Sequence, residues 1–262
     1  MKVEKKDLVT VQQIDGMTAV KTPHERELNT IGDAALKFLP GLDPSKLESV
    51  VISMGGSVDD LGFGEDYTVS FEYFPGVRIH VLYFSPDEED EGFSDEPEMK
   101  FLFSGDIVLN VSSEDLASLV DLTMDYLREV ATNPEYEVKL HETSDLLQRS
   151  IAQRVEPFSV LKRKDLPSLA DFVGGKLELE DSRWTIHKIY FPGIEISLIY
   201  NGKDIRFEFE GENIKKINNY AKDQLSIFLM NHCLRYIGTA YKDLELPDIV
   251  EKAFSFSYIK SL

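Results

Sequence analysis

The residues densest in chemical potential are the carboxylates of "DEEDEGFSDEPE", Asp87 to Glu98. Counted as a calcium loop, the stretch has acids at positions 1, 3, 5, 9 and 12 and glycine at position 6. The chemistry fits less well than the count. Glu89 and Glu91 stand where short ligands belong, Ser94 where an apolar residue belongs, and Pro97 stiffens the end. Eight acids within these residues produce such a match by composition. The stretch therefore reads as a solvated loop that attracts divalent cations weakly, without a cage.

The other chemistry-bearing residues are scattered. His24, His80, His141, His187 and His232 form no His-x-x-x-His or His-Glu-x-x-His spacing, which argues against zinc. His80 and His187 fall at polar-facing positions of strand-like segments and are expected at the surface or lightly hydrogen-bonded. His232 precedes Cys233, but adjacent helical residues point about 100° apart, so Cys233 reads as a small core residue and not half of a thiolate pair. "GFGED", Gly62 to Asp66, contains Gly-x-Gly, yet its two acids would repel phosphate and it reads as a loop. "SYIK", Ser257 to Lys260, has Ser-x-x-Lys spacing without the companion motifs of that chemistry. No catalytic, cofactor-binding or metal-ligating residue is assigned, and no cofactor is expected.

The elements around these residues are more informative. "YFPGVRIHVLY" at Tyr73 to Tyr83 returns as "YFPGIEISLIY" at Tyr190 to Tyr200. Each copy reads as a hairpin of alternating, β-branched and aromatic strands. Pro75 and Gly76, or Pro192 and Gly193, supply the turn: proline fixes φ and glycine accepts the positive φ of a type II turn or a G1 bulge. The repeat extends both ways. "LDPSKLESVVISMGGS" at Leu42 to Ser57 parallels "DLPSLADFVGGK" at Asp165 to Lys176, each a helical pattern with a Gly-Gly stop. "MKFLFSG" parallels "IRFEFEG" as a third strand, and "DLTMDYLREV" parallels "FLMNHCLRYI" within a long helix. Blocks in one order argue for tandem duplication.

The expected fold is α+β, a tandem duplication of a unit whose mostly antiparallel sheet, a Pro-Gly hairpin plus a third strand, is covered by a long helix. The domains are residues 1–135, with the acidic hairpin loop, and 136–262, divided near "ATNPEYE". Thr22 to Leu39 begins with a Thr-x-x-Glu capping box and Pro23, and Thr143 to Val155 reads as an amphipathic helix. Ser112 or Ser113 caps the first long helix. In the second, Ile214, Ile217, Ala221, Leu225, Phe228 and Leu229 form the apolar face, leaving Lys215, Lys216, Lys222 and Asp223 for solvent.

Composition bounds the function. With 262 residues and 42% of them apolar, the chain can bury one large core or two ordinary ones. Its longest apolar runs, such as "SIFLM" at Ser226 to Met230, fall far short of the roughly 20 residues of a membrane span, and the charged N-terminus lacks a signal-peptide core. The single cysteine excludes an internal disulfide and suits a reducing compartment, so a cytoplasmic location is expected. The net charge of −19 disfavours nucleic acid and anionic lipid as partners. Residues 1–135 hold 28 acids and 10 bases, net −18, against 19 acids and 18 bases, net −1, in 136–262.

The first unit resembles an uncharacterised family of domains of unknown function found chiefly in anaerobic bacteria and archaea. The resemblance lies in "FPGVRIHVLYFSPDEE" and "KFLFSGDIVLNVSSEDLASL", a Pro-Gly turn, a strand, an acidic loop, a strand and an acidic-capped helix, within residues 42–130. It implies no established activity. Members of that family that accompany corrinoid or iron–sulfur proteins carry a cysteine cluster, which a chain with only Cys233 does not match. The resulting expectation is a non-enzymatic soluble binding or interaction module whose acidic first unit meets a basic protein partner. The alternative is an enzyme or small-ligand carrier with its pocket between the two units.

Overall fold

Local capping sets the first helices. In the computed structural model, which describes residues 5–17, 20–86, 96–133, 135, 137–138 and 145–261, Thr10 and Gln13 exchange both bonds of a capping box ahead of α1 (Val11–Ile14). Thr22 caps α2 (Pro23–Ala35) by accepting from the Glu25 N–H at 3.2 Å. The Glu25 carboxylate instead takes Gln12 Nε2 at 2.6 Å, so only half of the expected box forms. Asp43 caps α3 (Pro44–Ser53), which stops at Gly55 with φ 82°.

Strands β1 (Ser57–Asp59), β2 (Tyr67–Phe74), β3 (Val77–Phe84) and β4 (Glu98–Ser104) follow, then the long helix α4 (Ser113–Thr132). They form an antiparallel sheet in the order β1-β2-β3-β4. Helix α4 begins at Ser113, which makes Ser112 the residue at the cap position. The second half runs α5 (Asp145–Arg154), α6 (Leu166–Val173), β5 (Lys176–Leu179), β6 (Trp184–Phe191), β7 (Ile194–Tyr200), β8 (Ile205–Glu210), α7 (Asn219–Ala240), α8 (Asp248–Lys252) and α9 (Phe256–Ile259). Its sheet is antiparallel in the order β5-β6-β7-β8. Both sheets gain a fourth, first-placed strand that the sequence patterns did not reveal. Residue contacts divide the chain into residues 1–109 with 113–135, and residues 110–112 with 136–262.

The repeated tripeptide is turn chemistry in both units. Phe74 pairs with Val77 and Phe191 with Ile194 across two-residue turns in which Gly76 and Gly193 both have φ 74°. A bulge one residue upstream falls between Glu72 and Phe74, and again between Ile189 and Phe191. Phe74 and Phe191 are buried beneath the turns. The glycine after the fourth strand completes the arrangement. A Cβ on Gly105 would lie 2.1 Å from the Gly76 carbonyl oxygen, and one on Gly211 2.3 Å from that of Gly193. The same two carbonyls accept from Ile107 and Asn213. The glycine in "FSG" and "FEG" thus lets the chain press against the turn.

Each long helix is tied to its own sheet by a tyrosine. The Tyr73 hydroxyl bonds the Thr123 hydroxyl on α4, and the Tyr190 hydroxyl donates to the Leu225 carbonyl on α7 at 2.9 Å. Helix α7 departs from expectation in two ways. Ile214–Lys216 form a separate 3₁₀ turn, and the helix starts at Asn219, capped by Asn218. Lys222 and Asp223 are buried, not solvent-facing. The cause is that α5, α6, α8 and β7 surround this helix, whereas an amphipathic reading allows one buried face. Lys222 lays its stem inward with Nζ 6.0 Å from the Phe209 ring centroid.

Candidate functional site

The first sheet has two chemically different faces. Val69, Phe71 and Tyr73 of β2 share the face that Tyr73 ties to α4. Ser70 and Glu72 of β2, Arg78 and His80 of β3, and Ser104 of β4 share the other, as the register Ser70↔His80 and Arg78↔Ser104 requires. An N-terminal strap crosses this polar face. Its 3₁₀ turn, Lys5–Asp7, is anchored at one end where Lys5 donates to the Gly62 carbonyl and sits 4.5 Å over the Phe63 ring. At the other end Val9 exchanges two backbone bonds with Phe103, at 2.8 and 2.9 Å, on the outer edge of β4.

Between strap and sheet lies a cleft of about 560 Å³. Lys6 and Asp7 reach it from the strap, Glu72, Arg78 and Ser104 from the sheet, and Asp106 from the turn after β4. Val9, Val77, Val108 and Leu109 supply its apolar surface. The Arg78 guanidinium stands 3.6 Å from the Glu72 carboxylate, an ion pair beyond hydrogen-bonding range. Glu72 also accepts the Gly76 N–H at 3.2 Å, which fastens it to the turn.

Behind the cleft, His80 is fully buried between two serines. Its Nδ1 lies 2.7 Å from Ser70 Oγ and its Nε2 2.8 Å from Ser104 Oγ. The surface position expected for His80 is therefore wrong: the strap and neighbouring strands leave this polar face covered, and the imidazole survives burial because both nitrogens are bonded. Burial first, then the Arg78 charge, push its pKa down to about 4, against a smaller opposing pull from Asp59. A neutral imidazole donates from one nitrogen and accepts at the other. Ser104 consequently faces the cleft as donor or acceptor according to the tautomer behind it.

The second unit places the same pair with the partners exchanged. His187 lies opposite Ser197, with Nδ1 2.8 Å from Ser197 Oγ. Ser70 and His187 each precede the turn phenylalanine by the same interval, and His80 and Ser197 follow it by the same interval. His187 is half-buried and also reaches Glu195 and Glu178, both at 3.2 Å, as a lightly hydrogen-bonded strand residue should. A search along the chain for histidine pairs misses these sites. The signal is across strands, a serine and a histidine at matched ladder positions.

The remaining candidates disperse. His24 Nδ1 is 3.1 Å from Asp15, which also accepts from Ser113. His232 is buried and stacked on Phe172 at 4.6 Å, while Cys233 is buried with its thiol pKa driven far up by desolvation. Gly62 to Asp66 is a loop as expected, organised by Glu65, which accepts from the Leu61 and Phe63 N–H groups and the Thr68 hydroxyl. Lys260 sits 4.3 Å over the Phe256 ring. His141 and most of Asp87 to Glu98 lie outside the described residues. Among the described residues, no group of three or more His, Cys, Asp or Glu is placed to hold a metal, and no helix is long and apolar enough to cross a membrane.

Fold and site together define an α+β protein of two four-stranded antiparallel units, the first bearing a strap-covered polar cleft. Residues 5–126 match the family model described as Domain of unknown function (DUF3786), an uncharacterised domain family as the resemblance implied. The match begins at the strap and ends within α4, so it takes in every residue of the cleft. No curated protein and no solved structure matches the chain.

Proposed function

We propose that this protein is a non-enzymatic, cytoplasmic binding module whose acidic first unit engages a basic protein partner. The observation that carries this reading is the charge division, net −18 in residues 1–135 against net −1 in 136–262. Such a surplus creates a field that speeds encounter with a cationic surface and repels phosphate backbones and anionic headgroups. The common strand order and the matched turn contacts of the two units support an origin by tandem duplication. The charge surplus lies almost entirely in one of the two units.

The test is a pull-down across a salt series. At 0.15 M salt the Debye length is about 8 Å, and at 1 M about 3 Å, so an electrostatic partner is captured at low ionic strength and released at high. Replacing the acids of Asp87 to Glu98 with their amides should weaken capture at low salt. A partner held equally at both ionic strengths, and indifferent to those replacements, would remove the electrostatic basis of the proposal.

A further inference from the structure

The cleft beneath the strap is lined by charged groups of both signs. The Arg78 guanidinium makes no hydrogen bond among the described residues beyond its loose pairing with Glu72, although it lines a cavity with five donors available. Asp106 and Asp7, lining the same cavity, form no ion pair or hydrogen bond among the described residues. Ser104, only 5% exposed, turns its hydroxyl between His80 and the cleft. Leu109, 43% exposed, stands beside the buried Val77 and Val108 as an apolar wall.

The signs decide the class of ligand. A simple anion would meet Asp7, Glu72 and Asp106 as well as the field of the first unit, and a simple cation would meet Arg78 and Lys6. A molecule that is neutral overall but carries separated charges avoids both conflicts. The cavity of about 560 Å³ also falls in the range of small-molecule sites, roughly 300–1,000 Å³. We infer that the cleft binds a small zwitterion of α-amino-acid type, its carboxylate on Arg78 and Ser104, its ammonium on Asp106 and Asp7, and its side chain against Val77, Val108 and Leu109. Ser104 suits the carboxylate end because the tautomer with the Nε2 proton leaves the serine hydroxyl hydrogen free to donate into the cleft. Arg78 suits it because its planar fork matches a carboxylate.

This site stands apart from the basic-partner surface, since a cleft of this size admits a small molecule and the acidic field acts over the whole unit. Either holds without the other.

The experiment uses the full chain and calorimetric titration with leucine, serine, lysine and glutamate. The tightest binder is then compared with its decarboxylated amine and its deaminated acid. The zwitterion is expected to bind about tenfold more tightly than either half-analogue. Arg78→Met should lower its affinity to that of the amine while leaving the amine unchanged. Asp106→Asn, at an exposed side chain that forms no ion pair or hydrogen bond among the described residues, should lower it toward that of the acid, so this arm stands even if the arginine variant misfolds. Absence of binding by all four amino acids, or an amine or acid that binds as tightly as the parent, would overturn the assignment.

Discussion

A neutral imidazole offers one donor and one acceptor, and His80 uses both on serines in a site that water does not reach. Protonation would force Ser70 and Ser104 both to accept and would place a charge beside Arg78. Unfolded, the same histidine titrates near 6.5; folded, its pKa is about 4. The unfolded chain therefore binds the extra proton between those values, so stability from this residue is present above pH 6.5 and is lost as pH falls to about 4. The shift corresponds to roughly 3 kcal/mol. His80→Gln keeps a donor and an acceptor but cannot titrate. Urea midpoints measured from pH 7 to 4 should fall more steeply for the parent than for the variant, and parallel curves would show that the histidine is not held neutral. None of this was readable along the chain. Strand alternation put His80 on a polar face, and polar usually means wet; the strap that covers that face is joined to it only through long-range contacts such as Val9 with Phe103.

The elements were far more legible than the residues on them. The hairpins follow from alternation plus Pro-Gly, and the helix stops at Gly55 and Gly174 follow from the left-handed conformations found there. Strands β1 and β5 leave no trace in the sequence pattern because, at three and four residues, they are too short to show a period. The apolar spacing predicts too early a start for α7 because Ile214, in a 3₁₀ turn, and Ile217, the extended residue after it, continue the helical period. The turn contact gives a sharp test. Gly105→Ala and Gly211→Ala each drive a methyl into a carbonyl oxygen from a backbone at φ 123° and 110°. Each should cost about 2–4 kcal/mol by denaturant unfolding. Gly41→Ala, with open space around it and no positive φ, should be neutral or stabilising by up to about 1 kcal/mol. Equal effects at all three would mean that the close approach is not real. The β7–β8 connection is a tight turn in which Asn201 Oδ1 accepts from Lys203 and Asp204 at 3.0 and 2.9 Å. Replacing Ser85 to Pro97 with such a turn should therefore leave the chain folded, because loop-closure entropy changes only slowly with length. An aggregated or molten product by circular dichroism would show that the acidic loop packs.

At the scale of the whole molecule, the division near residue 135 coincides with a change in charge and a run of turn residues, both visible in the sequence. What the sequence could not show is that the division is not a single cut. Asn110–Ser112 group with the second unit although they sit between β4 and α4 of the first. Val111, 1% exposed, bridges Phe254, and the Ser255 N–H donates to the Asn110 carbonyl at 3.0 Å. Ser255 in turn caps α9 by accepting from the Tyr258 N–H, and Arg235, buried on α7, donates to the Ala253 carbonyl at 2.6 Å. The C-terminal segment of the second unit is thus pinned by three residues that precede α4. A fragment of residues 136–262 lacks that pin, losing the bridge to Phe254 and the carbonyl that accepts the Ser255 N–H. Val111→Ala in the full chain removes two buried methyl groups at the bridge, which should cost about 1–2 kcal/mol. The effect should be local. Amide exchange at Phe254, Ser255 and Tyr258 should accelerate, while amides of β2 and β3 in the first unit keep their protection. Faster exchange confined to the first unit, or a fragment of 136–262 whose C-terminal amides are as protected as in the full chain, would mean that the three residues do not hold the second unit together.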